Sequence, residues 1–262
     1  MLAFPQLSSG AIAQLPWRRE SAYRTLVNRT ADGREIRLAD LDYFSREWEL
    51  PLELLTDAEW QAIQDLFTST VGRLKSFLFL EPGENLLAWS EKFNEAVWVR
   101  TGVAVADGTA DPFGGTAGGQ ISGAGTLSQS LSIPAKFKYA ASMWARTTQS
   151  GASLQLSDGA SQTATASIAA SGQWSRYLLS TAWSTTSETV LFTVNKPAGA
   201  VLDIYGPQLD AQPSASNYKR TLQRGGAHPG ARFASDTLGD RATAPGKHSG
   251  VIRVSWTPSL TP

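Results

Sequence analysis

The chain contains no cysteine, which removes disulfide staples, thiolate zinc sites and cysteine nucleophiles together. It has only two histidines, His228 and His248, both in Gly/Pro-rich surroundings near the C-terminus. A surface or loop position is expected for each. Neither offers the organised partners of a catalytic base or a zinc set, so no catalytic residue and no metal site is expected. No Gly-x-Ser-x-Gly elbow precedes a helix, and nothing therefore organises a serine nucleophile. Net charge is absent too: 23 Lys/Arg balance 23 Asp/Glu. The field that draws proteins to nucleic acid or to anionic membranes is not expected. No stretch reaches the roughly 20 apolar residues that span a bilayer. Residues 1–16 lack a basic start and are interrupted by Pro5 and Gly10, so neither membrane insertion nor a signal segment is expected. The Gly-rich run at 114–119 lacks a Gly-Lys-Ser/Thr ending and a following helix, and no cofactor is implied.

What is present is unevenly distributed. Residues 1–83 hold 9 Lys/Arg and 12 Asp/Glu, whereas 84–220 hold only 9 of each sign and are dominated by Ser, Thr, Ala and Gly. The stretch 221–262 has strand-like pieces but is too short for a core of its own. This pattern predicts a mainly β chain: a split β domain with one α-helix, formed by 1–82 and 221–262, into which an antiparallel β-sandwich or jelly roll at 83–220 is inserted.

In the outer domain, Asp32-Gly33 between two strand-like runs predicts a hairpin. Trp48, Leu50, Leu52 and Leu54 alternate with Glu47, Glu49, Pro51 and Glu53, which predicts a strand with one apolar face. Pro51 cannot donate to a ladder, so that strand is expected at an edge or a bulge. Thr56 and Glu59 form a capping box, Trp60, Ile63, Phe67 and Val71 recur at helical spacing, and Gly72 is expected to end a helix over 56–71. Lys75 to Leu80 predicts a buried strand. In the middle, short strands are expected at 126–133, 137–146, 152–157, 163–168, 174–181, 189–194 and 201–209. Strands at 231–238 and 250–256 are expected to join the first domain's sheet, and 257–262 to be a free tail.

Two resemblances follow. Phe4-Pro5-Gln6-Leu7-Ser8-Ser9-Gly10-Ala11, Trp48-Glu49-Leu50, the helix start at Leu55-Thr56-Asp57-Ala58-Glu59 and Gly72 before Phe77-Leu78-Phe79 together resemble phage distal tail (tail-tip or baseplate hub) proteins. Residues 231–238 and 244–248 resemble the closing strands of the same domain. The middle resembles the carbohydrate-binding-module-like jelly rolls of phage tail and fibre proteins. It opens on Asn85 to Phe93 with Trp98 and closes on Tyr205-Gly206-Pro207-Gln208-Leu209-Asp210 with Ser216-Asn217-Tyr218. The resemblance implies a structural virion protein at the tail tip, assembled in the host cytoplasm. It would be a homo-oligomer, commonly a hexameric ring, partnered by tail-tube and tail-tip hub proteins and presenting its module to host-surface glycan. A receptor-binding or fibre-type adhesin whose main role is sugar recognition is the alternative.

Sugar rings stack on exposed aromatic faces while polar neighbours hold the hydroxyls. Trp144, Trp174, Arg176, Tyr177 and Trp183 are therefore the candidate carbohydrate contacts. Trp144 alternates against Phe137, Tyr139, Ala141 and Met143, so it faces outward if they face the core. Trp98 is expected inside. Glu47 and Glu49 share a strand face, but an exposed i, i+2 pair is what any solvated strand produces, and no enzymatic role is assigned to them. Asp107, Asp111 and Asp158 sit in Gly-rich loops and are expected to form turns rather than bind calcium.

Overall fold

The computed structural model describes residues 1–258; the tail expected at 257–262 lies outside the described residues from 259 onward. Along the chain run β1 (Arg18–Arg29), β2 (Glu35–Thr56), α1 (Asp57–Thr70), β3 (Phe77–Leu80), β4 (Val99–Thr109), β5 (Gly118–Leu131), β6 (Lys138–Thr147), β7 (Ser153–Ser157), β8 (Thr163–Ser167), β9 (Ser175–Ala182), β10 (Val190–Lys196), β11 (Leu202–Asp210), β12 (Ala227–Phe233), β13 (Arg241–Ala244) and β14 (Lys247–Trp256). They fall into two compact units. One comprises Met1, Ser8–Ile12 and Leu80–Ala227; the other comprises Leu2–Leu7, Ala13–Phe79 and the chain from His228.

The unit built from the chain ends is a sheet ordered β1-β2-β14-β12-β3, with β13 on β14. The predicted joining of the C-terminal strand to this sheet is seen in β14, which pairs antiparallel with β2 from Lys247↔Thr56 to Trp256↔Arg46. Helix α1 opens on the capping box: the Glu59 N–H donates to Thr56 Oγ1 (3.3 Å), and the Thr56 N–H to Glu59 Oε2 (2.9 Å). Trp60, Ile63 and Leu66 are buried, each stabilising by about 2 kcal/mol. Gly250 gives Trp60 room; a Cβ there would lie 2.8 Å from Cη2 of its ring. Trp48, Leu50, Leu52, Phe79 and Val254 complete the core at 0% exposure.

Three local expectations need correction. The alternation holds through Leu52 and then fails: Leu54 is 60% exposed and Leu55 buried. Leu54 has φ 56°, and the β2–β14 register shifts between His248 and Gly250, so a bulge turns the strand over. The turn at the end of α1 begins one residue early, at Val71 (φ 54°), a β-branched residue in left-handed space; Gly72 (φ 60°) continues it. His228 is neither on the surface nor in a loop. It lies in β12, 2% exposed, its ring 5.0 Å from Trp48 and 4.6 Å from Trp256. His248 likewise belongs to a strand, β14. Pro51 does sit where one side of β2 is open, because pairing with β1 stops at Glu49.

The unit spanning Leu80–Ala227 is an antiparallel β-sandwich, continuous along β8-β7-β10-β5-β11-β6-β9 with β4 on β5. Strand β5 belongs to both layers: residues 125–131 pair with β10, and 119–121 pair with β11. The change of layer occurs at Gly123 (φ 89°) and Gly125 (φ 151°), opposite a register shift around Gly102 in β4. Strand β4 and the first half of β5 were not among the predicted strands, because these glycines read as loop. The core between the layers includes Ile121, Leu127, Tyr139, Met143, Leu154, Phe192 and Ile204, all at 0% exposure. Trp98 is inside as expected, donating from Nε1 to Trp89 O at 3.0 Å.

Candidate functional site

Strand β6 sends Tyr139, Ala141, Met143 and Ala145 into the core and turns Trp144 and Arg146 outward. Register then aligns outward residues of neighbouring strands into two rows. One row crosses Tyr205, Trp144 and Arg176; the next crosses Gln120, Asp203 and Arg146. Trp174, one residue before β9, extends the second row, with the Arg146 guanidinium 4.9 Å above its ring centre.

The first row is a cluster of rings. Trp144 lies 5.8 Å from Tyr205 and 6.0 Å from Tyr218, and Tyr205 lies 5.2 Å from Tyr218. Phe113, from the β4–β5 loop, closes the group at 5.6 Å from Trp144 and 5.8 Å from Tyr205, meeting both edge-on. Its side chain is 70% exposed, unusual for a residue held against two other rings. Asp111 fixes that loop. Its Oδ1 accepts the N–H groups of Phe113 (2.8 Å) and Gly115 (3.0 Å), and its Oδ2 that of Ala117 (3.1 Å). Desolvation opposes ionisation of this carboxyl, but the three N–H donors outweigh it and hold its pKa below the usual carboxylate value.

Polar groups surround the rings. The Arg176 guanidinium packs 4.6 Å from the Trp144 ring centre, and its Nη2 donates to Ser142 Oγ (2.9 Å) and Ser216 O (2.6 Å). Arg146 donates from Nε (3.0 Å) and Nη2 (2.7 Å) to Asp203 Oδ2, while Gln120 donates to Asp203 Oδ1 at 2.9 Å. On the other flank, Tyr218 Oη lies 2.8 Å from Ser90 Oγ and donates to Glu91 at 3.1 Å; Arg220 pairs with the same carboxylate at 2.8 Å. Burial is the main cause pushing the Tyr205 and Tyr218 phenols up, and the Glu91 charge adds to it in both. Both phenols are neutral donors at any physiological pH. The result is an aromatic cluster, open mainly at Phe113 and in part at Trp144 and Tyr218, with donors and acceptors on two sides, suited to a flat ligand with apolar faces and a polar rim.

Of the five residues singled out from the sequence, Trp144, Arg176 and Trp174 come together here. Tyr177 does not: it lies opposite Met143 on the core side of β9, where its Oη accepts the Ala169 N–H at 2.9 Å. Trp183 follows the end of β9, seven residues and roughly 20 Å along the strand from Arg176. Phe113, Tyr205 and Tyr218 were missed as site residues. Tyr205 was within reach of sequence reasoning, since an outward Trp144 implies an outward partner on the strand beside it. Phe113 carried no periodic signal at all.

Two of the three aspartates behave as turn formers: Asp111 as above, and Asp158, which accepts the N–H groups of Ala160 and Gln162, both at 2.9 Å. Asp107, expected in a turn, instead lies in β4 opposite Gly119, and its carboxylate accepts the N–H groups of Phe93 (2.9 Å) and Asn94 (3.3 Å), 14 and 13 residues before it. Glu49 is paired with Arg253 across the sheet at 2.8 Å.

No family model and no curated protein matches the chain. Solved structures similar to part of it include the enzymatically active domain of tailspike protein 4 of bacteriophage CBA120, at 17% identity and TM-score 0.38, covering 48% of this chain and 21% of that one. The module TmCBM61, in complex with β-1,4-galactotriose, aligns at 18% identity and TM-score 0.35, covering 48% and 97%. The CBM22-1 xylan-binding domain of Paenibacillus barcinonensis Xyn10C aligns at 18% identity and TM-score 0.39, covering 52% and 99%. The chain thus spans about a fifth of the tailspike structure, and no property of these proteins is carried over from likeness at this level.

Proposed function

We propose that the sandwich unit binds a glycan through the Trp144–Tyr205–Phe113 surface. We further propose that the whole chain is a structural virion protein of a tailed phage or prophage, repeated as a ring at the distal end of the tail tube with the glycan-binding face toward the host. One observation carries sugar binding: a 70% exposed Phe113 stands edge-on to Trp144 and to Tyr205, itself only 9% exposed, with Arg176, Gln120 and Glu91 placed around them. Aromatic faces take up the C–H faces of a pyranose, and fixed donors and acceptors take its hydroxyls. Binding without hydrolysis is favoured by the state of the nearby carboxyls. A glycosidase holds one carboxyl protonated by raising its pKa; the neighbouring carboxyl raised in this way by burial, Asp210, is 0% exposed and held by Gln208 and Ser216, out of reach of a ligand, while the Asp111 pKa is lowered.

The tail-tip role rests on the sequence resemblance of 4–11, 48–50, 55–59, Gly72 before 77–79, 231–238 and 244–248 together. Repetition supplies the mechanism, since several weak sites engaged at once multiply apparent affinity without new contacts.

A glycan array followed by calorimetry on any hit tests sugar binding. Trp144→Ala is expected to weaken affinity about tenfold or more, a loss of about 1.4 kcal/mol, and Trp183→Ala to leave it unchanged. Failure of the wild-type chain to bind any glycan, or equal loss in both variants, overturns the assignment. Immunogold electron microscopy of particles tests the location, which fails if label is found anywhere but the tail tip.

A further inference from the structure

The charged groups beside the rings share one arrangement. Arg146 lies over the Trp174 ring and reaches Asp203 Oδ2 through Nε (3.0 Å) and Nη2 (2.7 Å). Arg220 reaches Glu91 at 2.8 Å. In each pair the acid is the covered partner. The Asp203 and Glu91 side chains are 11% exposed, whereas those of Arg146 and Arg220 are 36% and 59% exposed. A ligand therefore meets guanidinium groups whose charge a carboxylate of this chain already answers. Arg176, the third arginine, has its flat face on Trp144 and its Nη2 on Ser142 and Ser216. Its Nε is buried, with no hydrogen-bond partner among the described residues.

Hydroxyl groups and anions use such pairs differently. A hydroxyl accepts from a free guanidinium edge and donates to a carboxylate, and both bonds leave the pair's charge balanced. A ligand carboxylate, phosphate or sulfate instead brings a second anion to a cation already engaged, and like charges meet where solvent screens them little. Asp203 is poorly placed to yield. Its Oδ1 accepts from Gln120 at 2.9 Å, so turning away from Arg146 abandons a second donor. Strands flank it on both sides, with Gln120 of β5 and Arg146 of β6 as its register partners.

We propose that Asp203 sets the charge class of the glycan: by occupying Arg146 and Gln120 it confines the site to uncharged sugars and excludes uronic, phosphorylated and sulfated ones. The inference deepens the sugar-binding reading above and rests on it. Asp203 acts through Arg146, as a residue that determines specificity. Without its charge, Arg146 presents a free fork of donors over the Trp174 ring, the geometry that takes a carboxylate through two parallel bonds. Glu91 is the less informative of the two acids, because it also accepts the Tyr218 hydroxyl and its removal disturbs the rings themselves.

The test is an array of neutral oligosaccharides and their uronic-acid counterparts, matched in length and linkage, with calorimetry on the hits. Wild type is expected to bind neutral members only. Asp203→Asn keeps the shape and an acceptor for Arg146 while removing the charge. It is expected to raise the ratio of acidic to neutral affinity about tenfold or more, a gain that added salt diminishes and that Arg146→Gln in the same chain reverses. Melting curves are the folding control, and Asp203→Ser is the second variant if the amide is not accommodated. The wild-type comparison stands whether or not either variant folds. A wild type that prefers acidic members, or a folded Asp203→Asn with the wild-type ratio, overturns the charge filter while sugar binding stands. A wild type that binds no member of either kind overturns the sugar reading, and the filter with it.

Discussion

Gly119 offers a sharp test of the packing beneath the proposed sugar surface. It faces the sandwich core on β5, opposite Ile204, and its backbone is not in left-handed space. Any effect of alanine there is therefore steric. A Cβ would lie 2.3 Å from Phe93 Cδ2 and 2.6 Å from Cε2, far inside contact distance. Phe93 is 0% exposed and cannot swing into solvent. It packs edge-on against Trp98 at 5.7 Å, and Trp98 against Phe192 at 6.1 Å, so displacement propagates through three rings. Overpacking of this kind costs about 1–3 kcal/mol; at 2 kcal/mol the transition drops by roughly 4–8 °C. Phe93→Leu alone also destabilises by removing buried volume. The two changes relieve each other, and the double variant is expected to be at least about 1 kcal/mol more stable than the sum of the singles. Calorimetry of the four chains decides it. The reasoning is refuted if Gly119→Ala is within about 0.5 kcal/mol of wild type, or if the two costs simply add.

Other consequences are as direct. Hydrogen bonds from Asp57 first and Asp240 second raise the His248 pKa above its usual 6.5; its contribution is full below that value and is lost as pH rises through the raised one, so the outer unit's melting temperature falls across that window and His248→Gln removes the slope. Thr56→Ala deletes the capping-box acceptor and should cost about 1 kcal/mol in urea unfolding, with Thr56→Ser near neutral. Asp111→Ala frees three backbone donors and the Phe113 loop, so ligand affinity drops in calorimetry while the melting temperature barely moves. Because the Asp111 pKa lies below 3.8, the loop's order persists above that value and is lost as pH falls through the lowered one. Gly239 has open space and ordinary backbone, and Gly239→Ala is expected to stabilise by about 0.4–1 kcal/mol in the same assay.

The outer unit was legible where local chemistry and tertiary packing agree. Thr56 and Glu59 satisfy backbone donors that any helix start leaves open, so the cap was readable without knowledge of the fold. Leu54 and Val71 were not readable for the opposite reason: both occupy left-handed backbone that their side chains disfavour, and only surrounding structure imposes it. His228 shows the same limit. Gly226, Pro229 and Gly230 around it signal a loop, yet Trp48 and Trp256, distant in sequence, enclose its ring.

In the sandwich, glycine misled because it performs two jobs. At Asp111 to Gly115 it marks a true turn, where Asp111 captures backbone donors. At Gly102, Gly123 and Gly125 it allows β4 and β5 to bend from one layer to the other without leaving the ladder. Gly125 shows how strict this is: a Cβ there would stand 1.9 Å from Thr101 O, so the two strands approach closely only because no side chain intervenes. The bend lets β5 pair with β11 on one side and β10 on the other, and β11 is the strand that carries Tyr205 into line with Trp144. It also returns the chain through the loop that holds Phe113. The glycine-rich composition that set the middle of this chain apart is thus a cause of the aromatic surface. Bulky substitution at Gly125 should disturb that surface even though Gly125 touches none of its rings.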